Sequence, residues 1–221
     1  MTTSLRLSLI AAALLSAGAA SAAPISIGST GTYTLQYEDT AAQWSGVLSI
    51  NVTSLSNSAL TAVFTMSSDT DSYAGSRLTS FALDFAPNVT GANGFVANVD
   101  GGAKVFAGFG FPPNGNYNGF VVDICAYTGN NCQGGGNTGL LPGASDAFQL
   151  TLTRAAAQGA WLLNGAPVKI QAGPDGGSYH FDSCTLGNGC GSTQVPVPGT
   201  LGLLGLAALG LGVATRRRAR D

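Results

Sequence analysis

The sequence predicts an all-β protein: an antiparallel, jelly-roll-like β-sandwich flanked by an N-terminal signal peptide and a C-terminal transmembrane helix. Three observations carry this. Apolar and polar residues alternate over short runs, and no stripe of helical period appears. Glycine, serine, threonine and asparagine punctuate those runs. The two longest uncharged apolar stretches sit at the chain ends, 7–15 and 201–214.

The first 22 residues read as a secretory signal. Arg6 gives the positive start, residues 7–15 the apolar centre, and Ala20-Ser21-Ala22 the cleavage site. The mature chain is expected to begin at Ala23, which implies a secretion translocon and a signal peptidase as partners.

The body follows as one domain over residues 23–190, long enough to bury a core. Tyr33, Leu35 and Tyr37 alternate with Thr32, Thr34 and Gln36. Trp44, Gly46, Leu48, Ile50 and Val52 share a face, as do Leu60, Ala62, Phe64 and Met66, and then Phe81, Leu83 and Phe85. Further strands are expected over 95–99, 104–109, 120–126 and 148–152. A hairpin is expected to run out through Trp161, Leu162 and Leu163, turn at Asn164-Gly165 in a type I′ turn, and return over 168–171. Residues 179–181 give the last strand. Roughly ten or eleven closely spaced strands fit a sandwich. No internal repeat is visible, which disfavours a solenoid or propeller. Residues 112–118 and 128–145 lack a strand pattern and read as long loops.

Between residues 23 and 198 there are four basic residues, Arg77, Lys104, Arg154 and Lys169, against ten acids, a net charge of −6. A sparse acidic surface excludes nucleic acid and anionic lipid as natural partners. The four cysteines fall in two close pairs, Cys125 with Cys132 and Cys184 with Cys190. Neither spacing suits a zinc ribbon or a C-x-x-C redox centre, so an exported chain should form disulfides. Three connectivities are open; nearest-neighbour pairing is preferred.

Candidate chemistry is sparse. His180 is the only histidine, and no G-x-S-x-G elbow supplies a serine for it. Asp69-Thr70-Asp71 begins like an EF-hand loop but has Ala74 at position six and Ser80 at position twelve. Glu38 is the only glutamate. Of the two tryptophans, Trp44 belongs to an inward face and is expected in the core. Trp161, at the start of the hairpin, is the candidate for a glycan contact. No catalytic residue, metal site or cofactor is assigned, and the protein is not expected to be an enzyme.

The C-terminus carries the functional signal. Val195-Pro196-Val197-Pro198-Gly199-Thr200 is stiff and proline-marked. Residues 201–214 are 14 uncharged residues. As a helix they would span about 21 Å, short of the ~30 Å hydrocarbon core unless arginines snorkel or the bilayer thins. Arg216, Arg217, Arg218 and Arg220 follow, a basic cluster that should stay cytoplasmic. The division is thus linker and sorting motif at 191–200, transmembrane helix at 201–215 and basic tail at 216–221.

This order of proline motif, Leu/Gly/Ala helix and terminal arginines, from Val195 to Arg220, resembles the PEP-CTERM sorting signal of Gram-negative bacteria. Val197 stands where that family has glutamate. The resemblance implies recognition and processing by an exosortase, a membrane-embedded protease, and association with exopolysaccharide and biofilm matrix. The expectation is an exported structural or adhesive protein of the cell surface or extracellular matrix, anchored transiently in the inner membrane. A permanent inner-membrane anchor for a periplasmic domain, or a glycan-binding module, is the alternative.

Overall fold

The computed structural model describes residues 24–102, 104–133, 138–156 and 159–186. The signal peptide, Cys190, the sorting motif, the transmembrane segment and the arginine cluster lie outside these. Among the described residues the regular structure is strand apart from two 3-10 turns, and no helix is long and apolar enough to cross a membrane.

Two antiparallel sheets form the body. The first contains β2 (Gly31–Asp39), β3 (Trp44–Leu55), β4 (Ala59–Ser68), β11 (Ser145–Arg154) and β6 (Val89–Ala97), in that spatial order. The second runs β1 (Ile25–Ile27), β12 (Trp161–Gly165), β5 (Arg77–Ala86), β10 (Ile124–Tyr127) and β7 (Gly108–Gly110). In it β13 (Val168–Gln171) pairs with both β5 and β14 (Ser178–Phe181). A two-stranded ribbon, β8 (Asn116–Tyr117) with β9 (Phe120–Val121), completes the strands.

The alternating runs fold as their period dictates. Every second residue of β4 from Leu60 to Ser68 is buried, and β3 buries Trp44, Gly46, Leu48, Ile50 and Val52. Gly46 must be glycine, because a Cβ there would run into the Ser67 carbonyl and the Trp44 ring. The sheets meet through aromatic side chains. Phe148 of β11 lies 5.5 Å from Phe64, 6.0 Å from Phe81, 5.4 Å from Phe95 and 5.6 Å from Phe106 between ring centroids. Burying each such side chain contributes about 1.5–3 kcal/mol.

β5 is the central strand of its sheet. All six residues from Leu78 to Leu83 are buried, so both of its faces are covered. One face joins the main core. The other packs Ala82 under Tyr117, Val122 and the Cys125–Cys132 disulfide. That disulfide is the expected local pair. Cys184 is disulfide-bonded as well.

Several expectations are corrected. The hairpin at Asn164-Gly165 does not form. β12 pairs with Ala86, Phe85 and Asp84 of β5, and β13 continues along the same strand from Phe81 to Arg77. Neither Asn164 nor Gly165 adopts the positive φ that a type I′ turn demands. The line breaks only at Ala166-Pro167. There the Ala166 amide turns to Asp182 at 2.7 Å, Pro167 has no amide to lose, and its carbonyl accepts the Ala82 amide at 2.8 Å.

The jelly-roll refinement also fails in the first sheet. β2, β3 and β4 form a meander, and β11 joins beside β4 rather than returning beside β2. This sheet therefore contains no Greek key. Residues 104–107 are not strand; Val105 and Phe106 donate their amides to Asp146 instead. β6 begins at Val89, earlier than the alternation suggests, and β11 already starts at Ser145.

Candidate functional site

The body ends in a fixed exit. The last described turn, Cys184–Leu186, lies against β2, where the Gln36 amide donates to Thr185 Oγ1 at 2.8 Å and Leu186 is buried. Just before it, Asp182 Oδ1 accepts the amides of Ala166 and Ser183, each at 2.7 Å. Seven residues lie between Leu186 and Gln194, eight residue steps along the chain. At about 3.5 Å per residue these steps reach at most ~28 Å.

Asp182 is one of three buried carboxylates that each clamp two backbone amides. Asp123 Oδ2 accepts those of Phe85 and Val89 at 2.9 and 3.0 Å. Asp146 Oδ2 accepts those of Val105 and Phe106 at 2.9 and 2.6 Å. Such charge-assisted bonds offset part of the cost of taking a carboxylate out of water. Burial nevertheless holds the Asp123 carboxyl above its ordinary value. Nothing local in the sequence distinguishes these three aspartates from surface ones, because their amide partners come mainly from distant strands.

Trp161 is not available to a glycan. It is 1 % exposed, its Nε1 donates to the Ser56 carbonyl at 3.1 Å, and the Phe85 ring meets it edge-on at 5.7 Å. The Arg154 guanidinium sits 4.3 Å over the ring while donating to the carbonyls of Asn57, Gly159 and Ala160. Sugar stacking needs an open ring face, and this ring has none. Trp44 lies in the core as expected, beside Tyr37 and Phe181.

His180 is half-buried on β14 opposite Lys169. Burial, with the Lys169 charge adding to it, lowers its pKa and favours the neutral imidazole. Among the described residues no hydrogen-bond partner reaches its Nε2. An open cleft of about 640 Å³ near the β2 edge is lined in part by Glu38, Asp39, Asp69 and Asp71. Asp39 Oδ1 is engaged by the Ala42 amide at 2.7 Å. Among the described residues no three acidic, histidine or cysteine side chains are grouped to hold a metal ion.

A second, uncharged groove of about 280 Å³ opens beside the Cys125–Cys132 loop. Its walls include Phe111, Pro113, Tyr127, Asn130, Asn131 and Gln133. These residues come from the end of β7, the proline turn, β10 and the disulfide loop, so the two long loops at 112–118 and 128–145 are legible in the sequence but their meeting is not.

A disulfide-stapled β-sandwich followed in sequence by a proline-marked and then apolar and basic tail defines a class: exported proteins addressed by their own C-terminus. The comparison with known families gives that address. The model of the PEP-CTERM protein-sorting motif matches residues 194–218, so the chain carries a PEP-CTERM sorting tail. The motif implies export and sorting by an exosortase to the cell surface. No curated protein and no solved structure matches the chain.

Proposed function

We propose that this protein is a non-enzymatic structural or adhesive component of the cell surface or the secreted polysaccharide matrix. The observation that carries the reading is the sorting tail at 194–218 joined to a β-sandwich body. The steps are placements: export, removal of residues 1–22, transient anchoring by residues 201–215, and exosortase processing near residues 195–200. Arg216, Arg217, Arg218 and Arg220 hold the tail's end in the cytoplasm until that cut.

The non-enzymatic reading is supported by how the acids are engaged. Asp123, Asp146 and Asp182 brace backbone amides, and His180 faces Lys169 across the strand pair rather than a carboxylate. The test is the intact mass of the protein recovered outside the cell, reduced and non-reduced. A chain starting at Ala23 and ending near Thr200 is expected. Released protein that still carries Arg216 to Arg220, or protein confined to the membrane pellet, would overturn the processing step.

A further inference from the structure

We infer that the groove beside the Cys125–Cys132 loop is a binding site for a neutral polysaccharide chain. This deepens the matrix role proposed above and rests on that reading.

The first reason is an aromatic surface held out of the core. Phe111 is 48 % exposed, at the end of the edge strand β7. Its position is stiffened from the C-terminal side. Pro112 and Pro113 follow it, Pro112 is buried, and the Gly115 amide donates to the Pro112 carbonyl at 3.0 Å. Tyr127 supplies a second ring. It pairs with Gly108 across β7 and β10, and a Cβ on Gly110 would stand 3.5 Å from its Cε1 and 3.4 Å from Cys132 Sγ. Gly110 lines the groove, so β7 adds no side chain to this floor.

The second reason is the polar rim. Asn130, Asn131 and Gln133 are exposed, and a side-chain amide offers both donors and an acceptor. Asn131 Oδ1 accepts the Gln133 amide at 3.0 Å, which orders this turn, and Lys169 Nζ is hydrogen-bonded to the Gln133 carbonyl. The disulfide closes the loop that presents Asn130 and Asn131, with Gln133 directly after its second cysteine.

The third reason is charge. Among the described residues the groove's lining carries no acidic or basic side chain, Lys169 at the Gln133 carbonyl is a charge beside it, and the body around it is net acidic. An anionic polymer meets long-range repulsion there, and a cation finds no carboxylate. A sugar ring offers an apolar C–H face for aromatic contact and hydroxyls at its rim for amides. That pattern matches Phe111 and Tyr127 bordered by Asn130, Asn131 and Gln133. A peptide adding to the sheet edge would find only three residues of β7 to pair with.

The experiment is native affinity electrophoresis of the full-length gene product made in an exosortase-bearing host. It is taken from the extracellular fraction or, if it remains there, from detergent-solubilised membranes. Gels are cast with hydroxyethyl cellulose, galactomannan, dextran or alginate. Retardation by at least one of the three neutral polymers is expected, weakened about ten-fold or more by Phe111→Ala. Val96→Ala, an exposed apolar residue on β6, should leave it unchanged. No retardation in any neutral gel, retardation by alginate alone, or retardation that Phe111→Ala does not reduce would overturn the site. The ratio of processed to unprocessed chain in the same preparations reports separately on sorting. A missing tail cut sinks the proposed route, and a missing gel shift sinks only the groove.

Discussion

The carboxylate of Asp123 accepts the amide of Val89 at 3.0 Å, and with it closes the turn by which the chain leaves one sheet for the other. The same Oδ2 holds the amide of Phe85 on the near side of that turn. One side chain thus fixes the end of β5 and the start of β6.

Removing it should loosen both strands. Asp123→Ala leaves two buried amides without an acceptor and is expected to cost about 2–4 kcal/mol. Asp123→Asn keeps an amide oxygen and should cost less. Urea denaturation of the two variants against wild type checks the order.

Acid should favour the fold through this region. Burial holds the carboxyls of Asp84 and Asp123 above the ordinary value, and for Asp84 the Asp123 charge adds to the effect. A raised value in the folded state means that protonation favours folding. That contribution is full below the unfolded value of about 3.9 and is lost as pH rises through the folded one. Wild type should therefore gain stability relative to Asp84→Asn as pH falls from neutral towards 4. Paired denaturation curves that stay parallel across this range would refute it.

Phe148 anchors the contact between sheets, so Phe148→Ala should cost about 3–5 kcal/mol. Val121 is 78 % exposed, and Val121→Ala should fall within about 0.5 kcal/mol of wild type. Equal losses at the two positions would contradict the packing described here.

The Cys125–Cys132 bridge closes a short loop, with a sequence separation of 7. Replacing both cysteines by alanine should lower stability by about 2–3 kcal/mol. The same replacement should also weaken polysaccharide binding, because the loop bearing Asn130 and Asn131 loses its closure.

At the tail, Val197→Glu introduces the residue that the sorting family carries between its prolines. It should raise the processed fraction in an exosortase-bearing host, read as the ratio of mature chain to precursor on an immunoblot. Replacing Arg216, Arg217, Arg218 and Arg220 together by alanine should lower it, because the apolar segment would lose its cytoplasmic stop.

The sequence by itself determined the sorting tail, the strand character of the body and the inward faces of β3 and β4. It also favoured the Cys125–Cys132 pair. These are local properties: a period of two, a proline motif beside an apolar run, two thiols seven residues apart. Tertiary structure decided which strands become neighbours and what covers their second faces. Asn164-Gly165 has the composition of a hairpin turn. Yet β5 is long enough to pair with both flanking segments, and Asp182, distant in sequence, captures the amide at their break. Trp161 reads as half-open only until Arg154, Ser56 and Phe85 close around it. The groove is assembled from Phe111, Tyr127 and the disulfide loop, which no single stretch of sequence juxtaposes. Periodicity records that a face is buried; the partner that buries it comes from elsewhere in the chain, and only packing in three dimensions selects it.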